Sequence, residues 1–200
     1  LPSVVANMDG NTLNIDVYAN VASVETRKGN VFENAGDIEC TRGVTFGEAL
    51  RLGIESWSGA IDGININVKA VIGNSNTHKT IKATYVYGLS TSSVANGSDF
   101  TVKYLERLDE NDKWLENFVN TNAHEIAHSA FNIKDAYDCV GGIITVMQRG
   151  VPPAVQSIDR AILYEAYKTG FKETYYNSYP NALEKYAPGY VIFPYNQNLF

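Results

Sequence analysis

His124 and His128 are the residues whose type and spacing point most directly to chemistry. They stand in the run Asn122-Ala-His124-Glu125-Ile-Ala-His128-Ser-Ala-Phe-Asn-Ile-Lys-Asp135-Ala-Tyr-Asp138, the first part of which reads as a helix. Residues four apart on a helix lie one above the other, so the two imidazoles address one point. Glu125 precedes His128 by three positions and leans to the same side. Two neutral imidazoles beside a carboxylate suit a Zn²⁺ ion and an activated water, with Glu125 as general base. The chain holds 3 histidines in 200 residues. The use of two of them in this pair makes a chance pairing on a surface helix the weaker explanation.

A catalytic zinc commonly takes three protein ligands and keeps a fourth position open, so two histidines are not enough. Lys134, Asp135 and Asp138 lie close downstream, and Glu165 and His78 lie further away. A lysine would have to give up its proton. Asp135 falls just beyond the expected end of the helix, where the chain can fold back, and it offers an oxygen ligand acceptable to zinc. His78 precedes a predicted strand and reads as a surface residue.

Other elements must position these groups. Ser3–Ala6, Asp9-Gly10 and the alternation Leu13, Ile15, Val17, Ala19, Val21 predict a hairpin. Ser23 to Gly43 reads as loops with a short extended piece. Phe46, Ala49, Leu50, Gly53, Ile54, Trp57 and Ile61 share a helical face, with Thr45 as N-cap and Glu48 completing a capping box. Ile64 to Val68 and Ile81 to Leu89 read as strands, Ser90 to Asp99 as a loop carrying the sequon Asn96-Gly97-Ser98, and Phe100 to Leu105 as a further strand. Asp109 or Asn111 caps the histidine helix, whose apolar positions include Trp114, Leu115, Phe118 and Val119. Gly141, Gly142, Pro152 and Pro153 mark irregular chain. Ser157 caps a last helix to about Lys168, and the tyrosine-rich final thirty residues read as an aromatic tail on the surface.

Composition narrows the function classes. At 44% hydrophobic, 200 residues suffice for one substantial core, a single domain over 1–200 with two lobes, about 1–130 and 131–200. A net charge of −6 without a basic cluster argues against nucleic acid. No apolar run approaches the ~20 residues of a membrane span. Charged residues are sparse, at 19%, while Asn, Ser, Thr and Tyr are plentiful, a balance associated with secreted proteins. The start at Leu1, without a leader pattern, reads as a mature or trimmed product. Cys40 and Cys139 are readable either as one disulfide or as two buried thiols.

The stretch from about Leu13 to Lys168 resembles the metzincin metallopeptidases, whose pattern is His-Glu-x-x-His-x-x-Gly-x-x-His/Asp followed by a methionine-bearing turn. His124-Glu125-Ile-Ala-His128 matches the first half, Lys134-Asp135-Ala-Tyr137-Asp138 resembles the segment of secreted bacterial members with aspartate as third ligand, and Thr145-Val-Met147 resembles the Met-turn. Phe46 to Trp57 is similar to the first helix of matrixin-like domains, and Gln156-Ser-Ile-Asp159 onward to the helix after the turn. The resemblance implies an α+β catalytic domain with a twisted, mostly parallel sheet, an antiparallel edge strand, a backing helix, an active-site helix and a C-terminal helix. It implies a monomeric, secreted zinc endopeptidase of peptide or protein substrates, with His124, His128 and Asp135 on the metal and Glu125 as catalytic residue. Substrate would lie along a strand edge within Ile81 to Leu105, and Arg149 to Val155 would wall the primed side. Three departures stand out. The family's glycine position is Phe131, and Asp135 sits one residue later than the pattern asks; the tyrosine some members carry two residues past the methionine is Arg149. The alternatives are a gluzincin-type peptidase with Glu165 as third ligand, or a catalytically silent metal-binding or adhesion domain.

Overall fold

The computed structural model describes residues 1–88, 93–96, 99–104 and 112–193. β1 (Val4–Asp9) and β2 (Thr12–Glu25) form the expected hairpin, with Val4 opposite Val17 and Gly10 at φ +59° in the turn. Leu13, Ile15, Val17 and Ala19 are fully buried, as their alternation demands. The strand does not end at Val21. A bulge between Val21 and Ser23 re-aims it, and it runs on to Glu25, where β3 (Val31–Glu33) pairs with it. A small ribbon, β4 (Glu39–Thr41) and β5 (Val44–Thr45), leads into α1 (Phe46–Glu55).

Thr45 caps α1 by accepting from the Glu48 N–H at 3.1 Å. The Glu48 carboxylate accepts from Arg51 instead of closing a capping box. The helix stops at Glu55, so Trp57 lies past its end and Ile61 belongs to β6 (Gly59–Ile61). Then follow β7 (Ile64–Ile72), β8 (Ile81–Tyr87), β9 (Ser93–Asn96) and β10 (Asp99–Tyr104). Part of the expected 90–99 loop is thus a strand. Leu89, Leu105, Gly97-Ser98 of the sequon, and the caps proposed at Asp109 and Asn111 lie outside the described residues.

The sheet runs β6-β7-β2-β8-β10-β9. β7, β2, β8 and β10 are parallel, and β6 and β9 are antiparallel to their neighbours. This is an α+β fold with a mixed sheet, mostly parallel in its middle. α1 lies over β2 and β7, α2 (Asp112–Phe131) lies over β9 and β10, and the two helices pack together. No helix among the described residues is long and apolar enough to cross a membrane.

The contacts between α1 and α2 set the depth of the histidine helix. A Cβ on Gly53 would stand 2.7 Å from Asn122 Cβ and 2.9 Å from the Val119 carbonyl, so only glycine permits this approach. Trp57 Nε1 donates to the Ala123 carbonyl at 3.0 Å, and the Tyr85 hydroxyl donates to Asn122 Oδ1 at 2.6 Å. Phe46, Tyr85 and Phe118 add ring contacts with centroids 5.0–5.8 Å apart, each worth about 0.5–1.5 kcal/mol beyond burial. All of these grip α2 in the turns just before or at His124.

Past α2 come β11 (Val140–Gly141), α3 (Ser157–Lys168), a 3₁₀ turn at Tyr176–Ser178, α4 (Pro180–Tyr186) and β12 (Val191–Ile192). The cap of α3 is Gln156 rather than Ser157, and Asp159 reaches back to the Gln156 N–H at 2.8 Å. The final stretch is not simply a surface tail. Tyr176 and Leu183 are fully buried, and β12 pairs with β11. Cys40 and Cys139 are both free and buried, so they form no disulfide. Burial pushes the Cys40 thiol up to about 12 and raises that of Cys139.

Candidate metal centre

α2 carries His124, Glu125 and His128 in its last two turns, then ends at Phe131. Phe131 is still helical and fully buried, packed against Trp57 and Phe171. The left-handed residue that ends the helix is Asn132, at φ +57°. Asparagine tolerates this conformation far better than a bulky aromatic. The turn therefore falls one residue later than a glycine at 131 would put it, which accounts for the displacement of Asp135 by one position. Asn132 is fixed there by hydrogen bonds, its Nδ2 donating to the Phe171 carbonyl and its own carbonyl accepting from Thr174 N.

Beyond this turn the chain doubles back, and Asp135 arrives opposite the two imidazoles. Its Oδ1 lies 3.2 Å from His124 Nε2 and 3.0 Å from His128 Nε2. The other ring nitrogens face backbone carbonyls, His124 Nδ1 at 2.7 Å from Val146 O and His128 Nδ1 at 2.8 Å from Ile133 O. A carbonyl only accepts, so both Nδ1 atoms carry hydrogen, which leaves each Nε2 lone pair aimed at a carboxylate oxygen. Lone pair facing lone pair is repulsive unless a cation lies between. Two protons would make two imidazolium rings with centroids 4.9 Å apart. A single divalent ion satisfies all three groups at once. The donor set fits such an ion in position as well as in type, since the three ligand atoms lie within 4.8 Å of one another.

Charge at the site follows from this convergence. Burial opposes the charged form of His124, but the bond that a proton on Nε2 would make to Asp135 in an ion's place, together with the Glu125 charge, outweighs it and raises its pKa. Burial likewise works against ionised Asp135, yet the His124 and His128 bonds hold its carboxyl well below the usual range. Glu125 is 2% exposed, and its Oε1 stands 3.8 Å from His124 Nε2. Its carboxylate thus stands beside the three converging groups. The groups open on a cleft of about 730 Å³ that Lys134, Tyr137, Asp138, Arg149 and Glu173 also line.

The Thr145–Met147 turn supports the centre from behind. The Val146 carbonyl orients His124, and the Met147 carbonyl accepts from Ala136 N at 3.0 Å, next to Asp135. Met147 itself is fully buried. Asp159 holds this turn from α3. Its carboxylate, fully buried, accepts from Val146 N, Gln156 N, the Thr145 hydroxyl and the Tyr176 hydroxyl. Burial raises its carboxyl above the ordinary range, and the four donors work the other way. No pattern in the sequence gives Asp159 such a role. An acid in a first helical turn signals a cap, but nothing local says that Tyr176, 17 positions on, will reach the same oxygens.

His78 is elsewhere, stacked on Tyr18 at 3.8 Å. Glu165 is paired with Lys168 at 2.8 Å and does not line the cleft. Among the described residues, His124, His128 and Asp135 are the one group of three or more His, Cys, Asp or Glu side chains placed to hold a metal ion.

Tyr137 carries no sequence signal beyond its place in the resemblance. Its hydroxyl donates to Asp135 Oδ2 at 2.9 Å, leaving Oδ1 for the histidine side. Burial first, then this bond, push its own pKa up to about 12. Tyr137→Phe keeps the ring and removes the donor. Zinc affinity, measured by competition with a chelating dye, is expected to fall about tenfold, the usual effect of losing a partner behind a ligand. Unchanged affinity would show that Asp135 needs no such support.

Comparison with protein-family models, with curated proteins and with solved structures returns no match. The metzincin resemblance therefore rests on the chain's own residues.

Proposed function

We propose that the protein is a zinc endopeptidase of metzincin, matrixin-like type that acts on peptide or protein substrates outside the cell. The observation that carries this reading is the pair of Nε2 lone pairs and the Asp135 carboxylate oxygen turned toward one another at 3.0–3.2 Å, with Glu125 buried beside them. A purely structural site has no use for such a base next to its ligands. His124, His128 and Asp135 would hold the ion. Bound there, zinc supplies a Lewis acid for the scissile carbonyl and brings the pKa of a water toward ~7.

The remaining steps belong to the protein. Glu125 takes a proton from a water in the cleft as general base and returns it to the leaving amine nitrogen as general acid. Val146 and Ile133, through their carbonyls, keep the imidazoles in the tautomer that presents Nε2. β9, the last strand of the sheet, is antiparallel to β10 and packs on α2. An extended peptide paired along it would run beside the histidine helix, held by backbone hydrogen bonds. Arg149, Gly150 and Pro152 line the cleft from the loop expected to wall the primed side.

The test is reconstitution. The protein is expected to bind one equivalent of zinc and to cut internal bonds of a denatured protein, with cleavage lost to a chelator and restored by zinc. Acid should act in the same direction as the chelator. With the His124 pKa raised above the ~6.5 of an ordinary imidazole, protons compete for Nε2 below that raised value. Zinc affinity should fall as pH drops through this window and recover above it. A zinc-loaded protein that cuts no peptide bond, or affinity that rises in acid, overturns the reading.

A further inference from the structure

We infer that Arg149 forms an anion subsite beside the metal centre, so that the cleft prefers a peptide with a single acidic side chain close to the bond to be cut. The subsite follows from the cleft's geometry, and its use in cleavage rests on the peptidase reading above. The turn that orients His124 also delivers Arg149. Gln148 N donates to the Thr145 carbonyl at 3.2 Å, Gly150 adopts φ +84°, and Arg149 between them lines the same cleft as the three ligands. Its guanidinium carbon lies 4.8 Å from the centroid of the Tyr137 ring, and Tyr137 is bonded through its hydroxyl to Asp135. The arginine therefore lies over the ring of the side chain whose hydroxyl bonds Asp135. A ring face held against the cation takes up none of its carboxylate-binding capacity, so guanidinium N–H groups are left for an acceptor.

The other charges of the cleft are accounted for differently. Lys134 is 3.5 Å from Glu173, whose second oxygen accepts from the Tyr175 hydroxyl at 3.2 Å. Arg149 makes no ion pair among the described residues. A solvated surface arginine would show the same lack of a partner. This one differs in being pre-oriented by a ring and set at the centre's rim, so less rotamer freedom is lost when it binds. Asp138, next to Tyr137, also lines the cleft and bears a carboxylate. Together with the overall charge of −6, it disfavours a run of acids and favours one acid in a neutral stretch. A glutamate side chain accepts two parallel N–H bonds from a guanidinium. Glutamine, of equal size, offers one oxygen and no charge.

Glu/Gln peptide pairs are therefore the probe. Hexapeptides identical but for Glu, Gln or Lys at each position in turn would be titrated onto the zinc-loaded Glu125→Gln protein, which is expected not to consume them, with and without Arg149→Ala. Their hydrolysis would be followed with zinc-loaded wild type, Arg149→Ala and Arg149→Glu. At one position the Glu peptide is expected to bind about tenfold tighter than its Gln twin. The gap should shrink in high salt, close in Arg149→Ala and turn into a preference for Lys in Arg149→Glu, with the effect on cleavage mainly in KM. The Glu-to-Gln ratio within each variant is the readout, because a general loss from altering the cleft wall lowers both peptides alike and leaves the ratio unmoved. Equal binding of every Glu and Gln pair, or a Glu preference that survives Arg149→Ala, overturns the subsite even where peptides are hydrolysed. Discrimination that depends on Arg149 without hydrolysis of any peptide supports the subsite and overturns the peptidase reading instead.

Discussion

Glu125→Ala is expected to leave a folded, zinc-binding protein whose peptide hydrolysis is about 10²- to 10⁴-fold slower. The expectation separates two jobs done within one helical turn. His124 and His128 supply ring nitrogens, and Asp135 a carboxylate oxygen, to the converging set, whereas the nearest Glu125 oxygen stands 3.8 Å from His124 Nε2. Removing that carboxylate should therefore cost proton transfer and not metal. At 2% exposure the side chain also occupies packed space, and truncation to alanine leaves a void. Glu125→Gln covers this case, because it preserves volume while removing the carboxylate's charge and its ability to accept and return a proton. Rates for both variants, with zinc content measured on the same samples, give the answer. If both lose activity with zinc retained, the loss is chemical. Turnover near wild type in Glu125→Gln would mean that another group is the base and that the buried carboxylate serves the structure.

The parts of this centre that were legible in the sequence are those fixed by local geometry. The spacing of His124 and His128 needs only a helix to become a pair, and the alternation from Leu13 to Ala19 needs only a strand. Asp135 was legible as a candidate because it follows within a few residues of the helix end. What decides its position is the left-handed Asn132, and nothing in the sequence distinguishes a turn there from one at Phe131. The contributions from far along the chain were not legible. Tyr176 reaching Asp159, Gly53 clearing room for Asn122 and Arg149 settling on Tyr137 are products of packing between segments whose own patterns say nothing of each other. Composition tells only part of the story for the final thirty residues. Tyrosine and proline suggest an aromatic tail packed on the surface, whereas Tyr176 and Leu183 are fully buried in the core and Val191 to Phe193 stay exposed.

The choice of third ligand gives the second large effect, and it is decided by three single substitutions. Asp135→Ala is expected to weaken zinc binding by about 10²-fold or more, because an anionic ligand is lost and the two imidazoles alone hold the ion. The fold should survive. Asp135 is only part-buried, and the turn that presents it is kept by Asn132, Ile133 and Lys134 through backbone bonds with Ala127 and Thr174. Asp138→Ala should spare zinc affinity, since that exposed carboxylate lines the cleft without joining the convergent set. Glu165→Ala removes the partner of Lys168 on α3 and should cost well under ~1 kcal/mol of stability, with no change at the metal. Zinc titrations of the three variants, each alongside a thermal melt, separate loss of a ligand from loss of the fold. Should Glu165→Ala strip the ion while Asp135→Ala keeps it, the ligand comes from α3 and the metzincin arrangement proposed for this chain is wrong.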